Sequence, residues 1–196
     1  FYNFSDLGNN KFGFGVADVS GKGIKSSLLM SKASSLYRCL SKTIFSASTL
    51  LKILNDEICE TTSRGMFVTM IVGVYDKNKN ELLLANAGHE PPLIFSKDGN
   101  FKTIDEAGPP LGIAPNFKFA EQIISFKESS MYIFTDGITE MKNNNGEMLG
   151  QEGFQDYIKK YQTTPNNKRL QKMIEDLISS GRIQKDDLTI VTVDGN

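Results

Sequence analysis

Three acidic positions share one local context. Asp18 closes the run Phe12-Gly-Phe-Gly-Val-Ala17 and is followed by Val19-Ser-Gly-Lys-Gly23. Asp136 closes Met131-Tyr-Ile-Phe-Thr135 and is followed by Gly137, while Asp186 and Asp187 stand immediately before Leu188-Thr-Ile-Val-Thr-Val193. A carboxylate at a strand end, with glycine beside it to let a ligand approach the backbone, suits a site on the rim of a sheet. Each one alone reads as a turn or helix cap. Together, on strands that can be neighbours, they read as a site, with the turn-and-cap role as the standing alternative. Oxygen-only clusters suit hard cations such as Mg²⁺ or Mn²⁺, which keep several waters. Two such ions about 3.5–4 Å apart lower the pKa of a bridging water and clamp a phosphoryl group for in-line attack. Hydrolysis of that kind needs no protein nucleophile.

The rest of the composition agrees by subtraction. The 196 residues include one histidine, His89, and two distant cysteines, Cys39 and Cys59, so chemistry built on several imidazoles or thiolates is nearly excluded. With 22 Lys+Arg against 23 Asp+Glu there is no basic stripe for nucleic acid. No apolar run approaches the ~20 residues of a spanning helix, so direct membrane insertion is not expected, and no signal-peptide pattern opens the chain. A reducing cytoplasm is the simplest location. The stretch Gly13-Phe-Gly-Val-Ala-Asp-Val-Ser-Gly-Lys-Gly23 fails as a Walker loop: five residues separate Gly15 from Gly21, and Gly23 stands where the hydroxyl residue belongs. It fails as a dinucleotide fingerprint because Gly13-x-Gly15 lies inside the strand. His89, in Ala85-Asn-Ala-Gly-His-Glu-Pro-Pro92, reads as a hydrogen-bonded structural residue rather than a catalyst.

These candidates need elements to position them. Residues 1–6 and 12–18 alternate like a hairpin around the turn cluster Asp6-Leu-Gly-Asn-Asn10. Helical spacing of Ile24, Leu28, Leu29, Ala33, Leu36, Tyr37 and Leu40 predicts a helix over 23–41. Ser46 and Ser48 are candidate caps for a second, over 46–60, carrying Leu50, Leu51, Leu54 and Ile58. Beyond Gly65 the pattern turns to strands at 67–75, 81–87, 92–96, 101–104, 117–126 and 130–135, then helices near 151–161 and 167–180, then the final strand 188–193. Strands at both ends with helices between them predict a layered α+β domain with largely antiparallel sheets.

Taken in order, the segments resemble the SpoIIE/RsbU branch of the PPM metal-dependent serine/threonine protein phosphatases. The matching stretches are Phe1-Tyr-Asn-Phe4, Ala17-Asp-Val-Ser-Gly-Lys-Gly23, Phe67-Val-Thr69, Ala85-Asn-Ala-Gly-His89, Gly108-Pro-Pro-Leu-Gly-Ile113, Thr135-Asp-Gly-Ile-Thr-Glu140, Gly146-Glu-Met-Leu-Gly150 and Asp186-Asp-Leu-Thr189. The resemblance implies an α-β-β-α sandwich with a binuclear Mn²⁺ or Mg²⁺ site at one end. It implies that Asp18, the Val19 backbone carbonyl, Asp136 and Asp186 hold the metals, with Asp187 as the alternative to Asp186. It implies hydrolysis, by a metal-bound water, of phosphoserine or phosphothreonine on a regulatory protein of the anti-sigma-factor antagonist type. The arginine and histidine that assist eukaryotic members have no counterparts near these motifs. The helices at 23–41 and 46–60 match the branch's regulatory switch, through which an N-terminal sensor domain of the parent protein would act. Leu28 and Leu54 are expected on their buried faces. Pairing through the switch helices or the sensor would give a weak homodimer.

Two departures qualify the resemblance. In the family Phe-Tyr is normally preceded by Gly-Gly-Asp, whose aspartate is the other central metal ligand. Residues 1–196 therefore read as one phosphatase domain cut short at its front, expected to lack its first strand and that aspartate, to bind metal weakly and to be nearly inactive alone. Glu90 stands where proline or asparagine is usual. The competing reading is a non-catalytic regulatory or protein-binding module on the same fold.

Overall fold

The computed structural model describes residues 1–62, 65–184 and 186–195. Among these residues nine strands and five helices follow one another as β1 (Tyr2–Asp6), β2 (Lys11–Val19), α1 (Ile24–Leu40), α2 (Ala47–Thr61), β3 (Val68–Asp76), β4 (Glu81–Ala87), β5 (Leu93–Ser96), β6 (Phe101–Thr103), β7 (Gln122–Ser125), β8 (Ser129–Phe134), α3 (Asp136–Thr139), α4 (Gly150–Tyr161), α5 (Asn166–Ser179) and β9 (Ile190–Asp194). They form two antiparallel sheets, ordered β1-β2-β3-β4-β7 and β6-β5-β8-β9.

The period-2 alternation of the central strands sends their side chains into two different cores. Phe14 and Val16 of β2, Ile71 of β3, and Met131 and Ile133 of β8 fill the space between the sheets. The opposite face of the first sheet, through Ala17, Val68, Met70 and Val72, packs on Leu29, Ala33 and Tyr37 of α1 and on Leu50, Leu51, Leu54 and Ile58 of α2. The outer face of the second sheet, through Tyr132 and Phe134, packs on Phe154 and Ile158 of α4 and on Met173 and Leu177 of α5. The result is the α-β-β-α sandwich expected from the sequence.

The structure corrects the expectations at four places. Leu28 is not on the buried face of α1: it is 67% exposed, and the inward stripe is Ser26, Leu29, Ala33 and Tyr37. Both Leu28 and Leu29 satisfy a helical period, and tertiary packing alone chooses between them. Leu54 is fully buried, as expected. The expected strand at 117–126 shrinks to Gln122–Ser125. Phe117 and Phe119 instead turn onto the helix-side core, and the Glu121 carboxylate accepts from the Ser46 hydroxyl and the Ser48 N–H at the start of α2. Asp136 does not end a strand but opens the one-turn helix α3. Finally, the last strand starts at Ile190 rather than Leu188, because Thr189 gives its N–H to the Thr135 hydroxyl at 3.2 Å.

Candidate metal centre

Strand direction gathers the acidic residues. β2 and β8 run towards one end of the sandwich and finish at Asp18-Val19 and Phe134, β4 arrives there at Ala87, and β3 and β9 start from it. Their connections line one cleft of about 790 Å³, which holds Asp18, Val19, Asp136, Asp186 and Asp187 together with Lys22, Thr69, His89 and Glu90. All the metal ligands expected from the sequence therefore share one cavity.

Each wall is fixed by local chemistry. Asp18 lies opposite Thr69 in the β2–β3 ladder, and the Thr69 hydroxyl approaches the Asp18 carbonyl at 3.4 Å. Beyond Val19 the chain leaves the sheet in a pinned loop. The Ser20 hydroxyl accepts the Phe67 N–H at 2.9 Å, and the Ser26 hydroxyl donates to the Ser20 carbonyl at 3.1 Å. Gly21 and Gly23 have φ of 81° and 89°, the left-handed region that glycine adopts without penalty. On the opposite wall the Thr135 hydroxyl donates to the Asp187 carbonyl at 3.3 Å while accepting the Thr189 N–H. These bonds hold the 186–189 segment against the start of α3.

The electrostatics record the crowding of like charge. Burial pushes the Asp18 carboxyl above its ordinary range. The Val19 N–H pulls it back, while Asp136 and Asp186 push it further up. Asp186 is held below its ordinary range, first by the Asp187 N–H at 2.9 Å and then by the Lys22 ammonium 3.4 Å away. Burial raises Glu90, with Asp136 and Glu140 adding repulsion. His89 is 4% exposed, and burial drives its pKa down to about 4, so it is neutral at physiological pH. Its Nδ1 meets the Thr69 hydroxyl at 3.2 Å, and the Asn86 side chain bonds both its N–H and its carbonyl. The ring itself makes one hydrogen bond, through Nδ1, while its Nε2 is buried without a partner, and the ring also lines the cleft.

The donor set fits a hard divalent cation. Every acidic group is an oxygen ligand, and their mutual repulsion is relieved by a bound positive charge. Among the described residues no three His, Cys, Asp or Glu side chains already stand as a coordination set. The fit is therefore to an ion held through one or two carboxylates, with water completing its shell. Asp18, Asp136 and Asp186 were legible in the sequence, whereas Thr69, Thr135 and Lys22 were not singled out. For Thr69 the available signal was the strand register that sets it opposite Asp18.

Comparison with known proteins supplies the context. Residues 8–195 match the family described as Stage II sporulation protein E (SpoIIE). The chain is 29% identical over 181 residues to the phosphoserine phosphatase RsbU of Bacillus subtilis, covering 91% of this chain and 54% of that protein. It spans about half or less of the length of the curated relatives it matches. Among solved structures, the SiaA PP2C domain of Pseudomonas aeruginosa superposes with a TM-score of 0.86 at 15% identity, covering 100% of this chain and 80% of that one. RsbX in complex with magnesium superposes with a TM-score of 0.71 at 16% identity, covering 97% of this chain and 85% of that one. At these identities the superpositions establish the fold.

Proposed function

The chain belongs to the SpoIIE family, and from that premise we propose that it is a metal-dependent protein phosphatase domain. Its substrate is phosphoserine or phosphothreonine on a bacterial regulatory protein, of the kind that antagonises an anti-sigma factor. One observation carries the reading: Asp18, Asp136 and Asp186, which come from three separate parts of the chain, line a single open cleft. The similarity to RsbU, named a phosphoserine phosphatase, supports the same activity.

In this reading Asp18, the Val19 carbonyl, Asp136 and Asp186 hold Mn²⁺ or Mg²⁺, as a binuclear pair in the complete site, with Asp187 as the alternative to Asp186. When bound, the ions neutralise phosphoryl oxygens and acidify a coordinated water. The chain's own contribution is placement. Thr135 and Gly137 fix Asp136 against the 186–187 segment, and the Ser20–Gly23 loop fixes Asp18 on the opposite wall. The helices α1 and α2, packed on β2 and β3 behind Asp18, are where an N-terminal sensor domain or a second copy of the chain would act on the site.

The test is phosphate release from a phosphoserine-bearing regulatory protein by the parent protein, with and without Mn²⁺. We expect turnover that requires the metal and falls more than about 100-fold in Asp136→Asn, since even outer-shell substitutions at metal sites cost about 10–100-fold. Tight binding of the phosphoprotein without turnover, in the presence of Mn²⁺, would replace this reading with that of a binding module. Mn²⁺ titration of Asp186→Asn beside Asp187→Asn decides which of the two carboxylates is the ligand.

A further inference from the structure

A phosphorylated side chain entering this cleft meets charge of its own sign. Among the described residues five carboxylates line the cavity: Asp18, Glu90, Asp136, Asp186 and Asp187. Among the described residues Lys22 is the only lysine or arginine lining it. Bound cations can neutralise the oxygens nearest the carboxylates, which leaves the outer phosphoryl oxygens to be met by the protein. We propose that Lys22 receives the substrate's phosphoryl group, exchanging its present partner Asp186 for phosphate oxygens. The assignment rests on the phosphatase reading above and adds to it the residue that anchors the phosphate.

Three features of Lys22 suit that task. Its backbone is defined by the left-handed glycines on either side and by the Ser20 hydrogen bonds, and it stands four residues from Asp18. Its side chain is free to move, at 77% exposure, and its pairing with the 55% exposed Asp186 carboxylate at 3.4 Å is of the solvent-screened kind that contributes little stability. The ion pair is also one that a metal disrupts, because a divalent cation on Asp186 competes for the same carboxylate and leaves the ammonium without its partner. A lysine ammonium is a compact charge with three donors, a chemistry that recurs at phosphate sites. The alternative is that Lys22–Asp186 is an ordinary surface ion pair with no ligand role.

The deciding experiment compares the wild-type parent protein with its Lys22→Met and Lys22→Arg variants in Mn²⁺. Inorganic phosphate binding is read by calorimetry, and Mn²⁺ affinity is read separately by electron paramagnetic resonance. Losing one charge-assisted contact predicts phosphate affinity about 10- to 100-fold weaker in Lys22→Met, with most of it restored in Lys22→Arg. Mn²⁺ affinity is expected to stay the same or rise, since a competitor for Asp186 has been removed. Equal phosphate affinity in wild type and Lys22→Met overturns the proposal, as does an absence of phosphate binding by the wild type. A fall in Mn²⁺ affinity in Lys22→Met also overturns it, because Lys22 would then be a support for the metal site. Turnover of a phosphoserine peptide separates the two readings. A wild type that binds phosphate through Lys22 but hydrolyses nothing removes the phosphatase reading alone. Turnover with an unchanged KM in Lys22→Met removes the role of Lys22 alone.

Discussion

The carbonyl oxygen of Asp187 lies 2.3 Å from the point a Cβ on Gly137 would occupy. No real side chain tolerates that approach, so the close crossing of α3 beneath the 186–187 segment depends on residue 137 having none. The crossing is what brings Asp136 and Asp186 onto one cleft wall. Gly137→Ala must push backbone away from backbone, and overpacking of this kind costs about 1–3 kcal/mol. We expect a lower melting temperature and a larger proportional loss of Mn²⁺ affinity. Thermal unfolding and Mn²⁺ titration of the same variant check both, and an unchanged Mn²⁺ affinity would refute the crossing as the element that sets the site.

Asp18 is expected to pull stability and metal binding in opposite directions. Its pKa is raised in the folded chain, first by burial and then by Asp136 and Asp186, so the fold favours its protonated form. Between the unfolded value and the raised folded one, the native state holds more protons than the unfolded state, and stability falls as pH rises through that window. Above it the charged carboxylate is a standing cost. Asp18→Asn is therefore expected to unfold at a higher temperature than wild type at pH 7, by a small margin because the group is partly solvated. The advantage should vanish near pH 3, where both are neutral. The same variant should bind Mn²⁺ more weakly. Melting curves at the two pH values, without added metal, decide the first point.

Leu28 and Leu54 should now behave oppositely. Leu54→Ala empties a fully buried position between α2 and the first sheet and is expected to cost about 2–5 kcal/mol. Leu28→Ala removes a side chain that is 67% exposed and is expected to fall within about 0.5 kcal/mol of wild type. Urea unfolding of the two variants measures the contrast. Comparable destabilisation by both would mean that Leu28 is covered in solution.

What could be read from sequence was local in origin. Asp18, Asp136 and Asp186 stood out because each adjoins a strand pattern and, for the first two, a nearby glycine, and these signals lie within a few residues of one another. The two-sheet architecture was legible for the same reason, since period-2 and period-3.6 patterns report elements one at a time. What escaped depends on contacts between distant segments. The rotation of α1 is set by Tyr37 and Ala33 entering the helix-side core, and no count of apolar spacing distinguishes Leu29 from Leu28. The shortening of β7 follows from Glu121 reaching Ser46 and Ser48, more than seventy residues earlier. Lys22 lies in the stretch that fails as a Walker loop, and its place beside Asp186 comes only from the fold.

His89 makes the pH dependence of folding testable at a single group. Burial is the main reason its pKa falls from 6.5 to about 4. In the unfolded chain the imidazole takes up a proton near its ordinary value, while in the folded chain it stays neutral until about pH 4. Between these values the unfolded state binds more protons, so stability is fully present above the unfolded pKa and is lost as pH falls towards the folded one. The difference corresponds to at most about 3 kcal/mol for a group this buried. His89→Asn keeps a polar side chain but has no proton to gain, so its stability should change less between pH 7 and pH 4.5 than that of wild type. Chemical denaturation of both proteins at the two pH values measures the difference. Equal losses would show that the imidazole titrates alike in the folded and unfolded chains, and that its contact with the Thr69 hydroxyl tolerates the charged ring.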